Sequence, residues 1–202
     1  MKRVLKYVII AVIILGAAFL YAHIDKKVPV FDKTVDSTYY GNMGEITTGL
    51  RVQQKFLCSQ TVLNGISIKC ATYGNQLTSL YNYQIIDGKT EEILREGVFN
   101  AGKVKNSKYF TIWFDQITDC KNRELLFTLE SEDAGSGNAL TVYNVPKGSE
   151  QAELRLNSDD FPENTLAMRT VSAVFDWETF VGVSFCLLYL YVFIKVLFKF
   201  FS

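Results

Sequence analysis

Two long apolar runs, one at each end of the chain, constrain the fold of these 202 residues more than any other feature. The first run, residues 7–22, is uncharged, and together with residues 4–6 it supplies 19 residues. A helix of this length spans about 28 Å, close to the hydrocarbon thickness of a bilayer. We therefore predict an N-terminal transmembrane helix over residues 1–24, with a cleaved signal peptide as the alternative.

The second run covers residues 179–202 and contains 16 uncharged residues before Lys195. Lys195 and Lys199 lie four positions apart, so they share one helical face and can both reach a headgroup layer. We predict a C-terminal transmembrane helix over 179–202, and a buried helix of a soluble domain is the alternative.

Small residues recur at a spacing of four in both runs, Ala18 with Ala22 and Gly182 with Cys186. This spacing lets two helices approach closely inside a membrane. The expected partners are the lipid bilayer and, through the two helices, each other or a second membrane protein.

The neutral net charge of the chain, with 21 basic and 21 acidic residues, conceals a segregation of charge. The two ends hold five basic residues and no acid, which leaves residues 25–178 with a net charge of −5. Basic flanks stay in the cytoplasm, so we expect a two-pass cell-membrane protein with both termini cytoplasmic and an extracytoplasmic middle. The equal number of acidic and basic residues also argues against nucleic acid as a partner.

The middle of the chain has the pattern of a mainly β protein. Residues 25–48 lack sustained periodicity and are predicted to be a connector, whereas 49–175 alternates in short runs separated by turn residues. The predicted strands are 50–58, 64–72, 76–87, 91–99, 108–117, 123–131, 138–145 and 165–175. Eight such strands predict an extracytoplasmic two-sheet β-sandwich that resembles a jelly roll, with an immunoglobulin-like sandwich as the alternative.

The strand over 108–117 has the clearest pair of faces. Phe110, Ile112 and Phe114 alternate with Tyr109 and Trp113. Because successive side chains point to opposite faces of a strand, the first three residues are expected in the core and the two others on the outer face.

Four stretches carry a resemblance to a known kind of domain. They are LNGISI at 63–68, ATYGN at 71–75, YFTIWFDQITD at 109–119 and GNALTVY at 137–143. Together they resemble a jelly-roll ectodomain of the type found in bacterial membrane proteins associated with cell-surface glycan assembly. The resemblance covers about residues 45–175, and it implies a cell-envelope location and a carbohydrate-binding-like fold.

Few residues are suited to catalysis or metal binding. His23 is the single histidine and lies beside a predicted span, which disfavours Ser-His-Asp catalysis and multi-histidine zinc sites. Cys58, Cys70 and Cys120 lack metal-ligand spacing, and Cys58 with Cys70 flank a probable hairpin and are a possible disulfide, although the connectivity is open. We predict no catalytic residue, no metal site and no cofactor.

The remaining candidates are aromatic side chains. Tyr109 and Trp113 on the outer face, with Tyr81, Tyr83 and Tyr73 as possible neighbours, are suited to stack on sugar rings. The alternative is that these residues pack in the core, under a loop or against another protein.

These features lead to one preferred function and two alternatives. We expect a membrane-anchored, non-enzymatic accessory protein that binds a cell-surface polysaccharide or a partner of the glycan-assembly machinery. One alternative is a structural subunit of a larger membrane complex. The other is an envelope glycan hydrolase that uses a pair of acids such as Asp115 and Asp119.

Overall fold

The structure is a computed structural model that describes residues 2–23, 25–147 and 152–201. The predicted bounds at residues 1, 24 and 202 lie outside the described residues. The chain divides into two compact units. The helical unit comprises the two ends, Met1–Lys26 and Ala173–Ser202, and the β unit comprises Lys27–Ser172.

The helical unit contains α1 (Lys2–Tyr21) and α2 (Trp177–Phe201). Of the helices in the described part of the chain, only α2 is long and apolar enough to cross a membrane, because the apolar part of α1, Leu5–Tyr21, is shorter. The C-terminal helix therefore suits a membrane anchor. A second membrane span remains a prediction.

Asp176 caps α2 and ties its start to the segment that follows α1. Its carboxylate accepts hydrogen bonds from the backbone N–H groups of Glu178 (3.1 Å) and Thr179 (3.3 Å), as an N-cap does. It also pairs with the Lys26 ammonium at 2.5 Å. Lys26 and, after it, Thr179 lower the pKa of Asp176 to about 2, so this cap is charged at neutral pH.

The small residues of the two helices differ in burial. Ala18 on α1 and Ala22 directly after it are buried, whereas Gly182 and Cys186 on α2 are exposed. The small-residue face of α1 is therefore packed, whereas that of α2 is exposed.

The described part of the chain contains thirteen strands and two short 3-10 turns. The strands are β1 (Lys26–Pro29), β2 (Gly41–Glu45), β3 (Arg51–Leu57), β4 (Leu63–Ala71), β5 (Leu80–Asp87), β6 (Ile93–Asn100), β7 (Lys108–Ile117), β8 (Glu124–Glu130), β9 (Thr141–Pro146), β10 (Glu153–Leu156), β11 (Asp159–Asp160), β12 (Asn164–Leu166) and β13 (Met168–Ser172). The turns are Ser37–Tyr39 and Ala101–Lys103.

These strands form two antiparallel sheets. Sheet A has the order β1-β13-β4-β9-β12, with β2 paired to β9 and β7 paired to β4, and sheet B has the order β11-β10-β3-β8-β5-β6. The sandwich-like arrangement confirms the mainly β prediction. The finer assignment to a jelly roll remains a prediction.

The predicted strand pattern differs from the structure at both ends of the β unit. Residues 25–48, predicted as a connector, contribute β1 and β2, and they bury Phe31 and Ile46. Strands β10 and β11 were not predicted, and the predicted strand 165–175 is divided between β12 and β13. Strands of two to five residues are too short to show a clear period of two.

Alternating inward side chains from both sheets form the main core, as the period of two predicts. Ile112 is buried, and Phe110 and Phe114 pack against the same cluster, which confirms the predicted core face of β7. Other buried members are Val52, Phe56, Ile66, Ile68, Cys70, Leu125, Phe127 and Leu129.

The hairpin between β5 and β6 turns at Asp87. The Asp87 carboxylate accepts hydrogen bonds from the backbone N–H groups of Lys89 and Thr90, both at 2.8 Å, and pairs with the Arg123 guanidinium. The Thr90 N–H, then Arg123, then the Lys89 N–H hold the pKa of Asp87 well below its usual range. This carboxylate therefore joins the hairpin to the start of β8.

Candidate functional site

The outer face of sheet A is built on the pairing of β4 with β7. Ile66 and Ile68 point into the core, so Ser67 and Lys69 point outward. In the antiparallel register Lys69 lies opposite Tyr109. The same alternation that buries one side of β4 therefore places a cation beside a tyrosine on its other side.

A lysine lies between two tyrosine rings on this face. The Lys69 ammonium is 4.4 Å from the ring centroid of Tyr40 and 5.0 Å from that of Tyr143. Tyr40 follows the turn Ser37–Tyr39, and Tyr143 belongs to β9. Cation–π attraction of this kind stabilises the lysine without a carboxylate partner.

An arginine covers the next tyrosine. The guanidinium carbon of Arg169, on β13, is 3.8 Å from the ring centroid of Tyr109. The Arg169 Nε and the Tyr109 hydroxyl are both buried, and Tyr40 and Arg169 are the polar neighbours of that hydroxyl. Burial raises the pKa of Tyr109 to about 12, and Arg169 opposes this rise. The hydroxyl is therefore protonated at neutral pH.

Trp113 provides a flat apolar surface at one end of the face. It pairs with Gly65, and a Cβ placed on that glycine would lie 3.4 Å from the indole Cε3. The absence of a side chain at Gly65 thus makes room for the ring. Half of the Trp113 surface (50%) is exposed, so the indole can stack on a flat ligand.

We name this surface the aromatic–cationic face. Its members are Tyr40, Lys69, Tyr109, Trp113, Tyr143 and Arg169. Its three tyrosines all pack on a second apolar cluster of Phe31, Val145 and Ala167. Neither cation of the face forms an ion pair with any residue in the described ranges. A surface of this composition can stack on sugar rings and attract negatively charged groups.

The structure brings together only some of the predicted ligand-binding residues. Tyr109 and Trp113 share the aromatic–cationic face, as predicted. Tyr73 is exposed in the turn after β4, where its N–H donates to the Asn106 side chain at 3.0 Å. That hydrogen bond holds Tyr73 near the start of β7, at the end of the face.

Tyr81 and Tyr83 were predicted as possible members of the site, and the structure places them in the core instead. Their exposed fractions are 0% and 7%. The Tyr81 hydroxyl donates to the Ile46 carbonyl (2.7 Å) and accepts from the Leu140 N–H (2.8 Å). The packing of the two sheets turns both tyrosines inward, which is the core alternative given for these residues above.

Four members of the face were not predicted. Lys69 and Arg169 follow the alternation of β4 and β13, so the period of two offered a signal for them. Tyr143 had the same signal, because it alternates with the core residue Val142 on β9. Tyr40 had none, because it lies in a segment predicted as a connector.

Cys58, Cys70 and Cys120 are all free thiols in the structure, so the predicted disulfide between Cys58 and Cys70 is not formed. Cys70 lies on the core side of β4 in sheet A, and burial raises the pKa of its thiol. Cys58 follows β3 of sheet B and interacts with Cys120 instead. The two strands belong to different sheets, which explains why adjacency in sequence was misleading.

The acids considered for hydrolysis lie in exposed positions. Asp115 is on β7, and Asp119 lies in the following loop with a φ of 56°. Within the described ranges, no group of three or more His, Cys, Asp or Glu side chains is placed to hold a metal ion.

Comparisons with known proteins give a distant structural likeness. No family model and no curated protein matches this chain. Among solved structures, the chain is similar to the cysteine protease and lectin-like domains of Cwp84, a surface layer associated protein of Clostridium difficile. The TM-score is 0.43 and the identity 10%, and the match covers 68% of this chain and 36% of that chain. A likeness at this level assigns neither a family nor an activity.

Proposed function

We propose that this protein is a membrane-anchored, non-enzymatic accessory protein whose β unit binds a cell-surface glycan through the aromatic–cationic face. The observation that carries the proposal is the half-exposed Trp113 on the same face of sheet A as two cations, Lys69 and Arg169, that have no carboxylate partner in the described residues. The indole suits the apolar face of a pyranose ring. The cations suit a carboxylate or phosphate carried by the sugar.

The membrane anchor fits this role. The apolar helix α2 would hold the β unit at the membrane surface, and α1 would form a second span that keeps both termini in the cytoplasm. The basic residues at the two ends and the acidic middle support this orientation. In this arrangement the β unit meets envelope polysaccharide outside the cell.

Binding of the full-length protein in mild detergent to envelope polysaccharide from the producing cells tests the proposal. A polyuronate such as alginate and neutral dextran serve as defined probes. We expect Trp113→Ala to weaken binding about tenfold or more, as loss of an aromatic hot-spot contact does. Val98→Ala, at an exposed apolar residue of β6 in sheet B, is the matched control.

Charge variants test the role of the cations separately. Lys69→Ala should weaken binding to the polyuronate and reduce its salt dependence, whereas Lys89→Ala, in the exposed β5–β6 turn, should not. Unchanged binding in Trp113→Ala, or no binding to any of the three polysaccharides, would contradict the proposal.

A second candidate function is that of a structural subunit in a larger membrane complex. An apolar groove of about 310 Å³ in the helical unit is lined by residues that include Ile14, Phe180 and Ser184. The Ser184 hydroxyl is buried without a hydrogen-bond partner in the described chain. Since a polar group in a membrane favours association with another helix, Ser184→Phe should abolish co-purification of a partner. Leu190→Phe, at an exposed position of α2, should not.

A further inference from the structure

Two buried thiols in the β unit have no part in the proposed function. Cys58 follows β3, and Cys120 lies in the connection between β7 and β8. Both side chains have an exposed fraction of 0% and belong to the same core cluster. They are distant in the chain and close in the fold.

The backbone holds the two cysteines against each other. The Cys58 N–H donates to the Arg123 carbonyl at 2.9 Å, and the Asn122 N–H donates to the Cys58 carbonyl at 2.8 Å. The Arg123 N–H donates to the Cys120 carbonyl at 2.9 Å, so residues 120–123 form a tight turn. Asn122 has a φ of 61°, which asparagine tolerates better than most residues.

A further set of bonds fixes the other side of the pair. The Cys120 N–H donates to the Thr61 carbonyl at 3.0 Å, and the Cys58 thiol donates to the Gln60 carbonyl at 3.4 Å. Hydrogen bonding with Cys120 lowers the pKa of the Cys58 thiol, and the same contact raises the pKa of Cys120. Cys58 is thus the readier nucleophile, because the thiolate is the form that attacks a disulfide.

We propose that Cys58 and Cys120 are a disulfide pair, joined when the β unit folds in an oxidising environment. The oxidant is the disulfide of a thiol oxidoreductase or of glutathione. The Cys58 thiolate attacks one of its sulfurs, which breaks that S–S bond and releases the other sulfur as a thiolate. The Cys120 thiolate then attacks the Cys58 sulfur and releases the second. The oxidant takes up two electrons and the two cysteine protons, and the domain keeps the new S–S bond.

Peptide mapping tests the pairing directly. The reduced full-length chain is unfolded in urea with mild detergent and refolded with glutathione and glutathione disulfide, and it is then quenched with N-ethylmaleimide. Trypsin places the three cysteines of the β unit on separate peptides, residues 56–69, 70–89 and 109–121. We expect unreduced mass spectrometry to find peptide 56–69 linked to peptide 109–121 in most molecules.

Two cysteine variants serve as controls for the assignment of the linked peptides. Cys70→Ala should retain the link, and Cys120→Ser should lose it. The proposal is overturned if Cys58 and Cys120 are both alkylated in the refolded protein, or if peptide 56–69 is linked to peptide 70–89. It is equally overturned if the pairings match the mixture formed when oxidation is carried out in urea.

Discussion

Gln54 is a fully buried amide that joins the two sheets, and its replacement by leucine gives the sharpest test of the packing. Its Oε1 accepts from the Thr165 hydroxyl (3.0 Å) and the Leu166 N–H (2.7 Å). Its Nε2 donates to the carbonyls of Lys55 (2.7 Å) and Glu153 (3.2 Å). The side chain, with an exposed fraction of 0%, thus satisfies all four of its hydrogen-bonding positions inside the protein.

The expected destabilisation of Gln54→Leu follows from what the variant leaves unpaired. The Thr165 hydroxyl and the Leu166 N–H stay buried without an acceptor, at about 1–3 kcal/mol each. The additional apolar surface of leucine returns about 1–2 kcal/mol. The free energy of unfolding should therefore fall by about 3 kcal/mol, which lowers Tm by about 6–12 °C in a domain of this size.

Urea unfolding of the full-length protein in mild detergent, followed by tryptophan fluorescence, measures this change. Gln53→Leu is the matched control, because Gln53 is the adjacent, partly exposed residue on the other face of β3. The control should change the free energy of unfolding by less than about 0.5 kcal/mol. Equal stability of the two variants would refute the inference that the Gln54 amide links the sheets.

Three further predictions use the same unfolding measurement. Tyr81→Phe loses two buried hydrogen bonds and should lower the free energy of unfolding by about 2 kcal/mol. The control Tyr83→Phe should lower it less, because no hydrogen bond is found for the Tyr83 hydroxyl within the described residues. Equal losses in the two variants would contradict this prediction. Asp87 has a lowered pKa, so its stabilising effect is complete above about pH 4 and disappears as the pH falls further. The loss in free energy of unfolding caused by Asp87→Asn should therefore shrink below pH 4. A loss that stays constant with pH would contradict a stabilising role of the Asp87 charge. Gly65→Ala places a Cβ 2.8 Å from a backbone carbonyl oxygen and should lower stability by about 1–3 kcal/mol, whereas Gly135→Ala, with no described atom within 4 Å of the new Cβ, should be nearly neutral.

The aromatic–cationic face separates what local pattern predicts from what it does not. Tyr109 and Trp113 were assigned to an outer face from the alternation of one strand, and the structure agrees. The cations beside them come from β4 and β13, and Tyr40 comes from a segment predicted as a connector. A binding surface assembled from several elements depends on strand order, which no single stretch of sequence encodes.

The sequence by itself determined the apolar ends, the mainly β middle and the inward positions of β7. Those features follow from local periodicity, since side chains alternate wherever one side of a strand is buried. Only the tertiary structure decided that Tyr81 is a core residue, that Arg169 covers Tyr109, and that Cys58 meets Cys120 rather than Cys70. Each of these contacts joins residues distant in the chain, and the physical reason is the same in every case. Sheet order and register set such contacts, and both arise from the packing of the whole β unit.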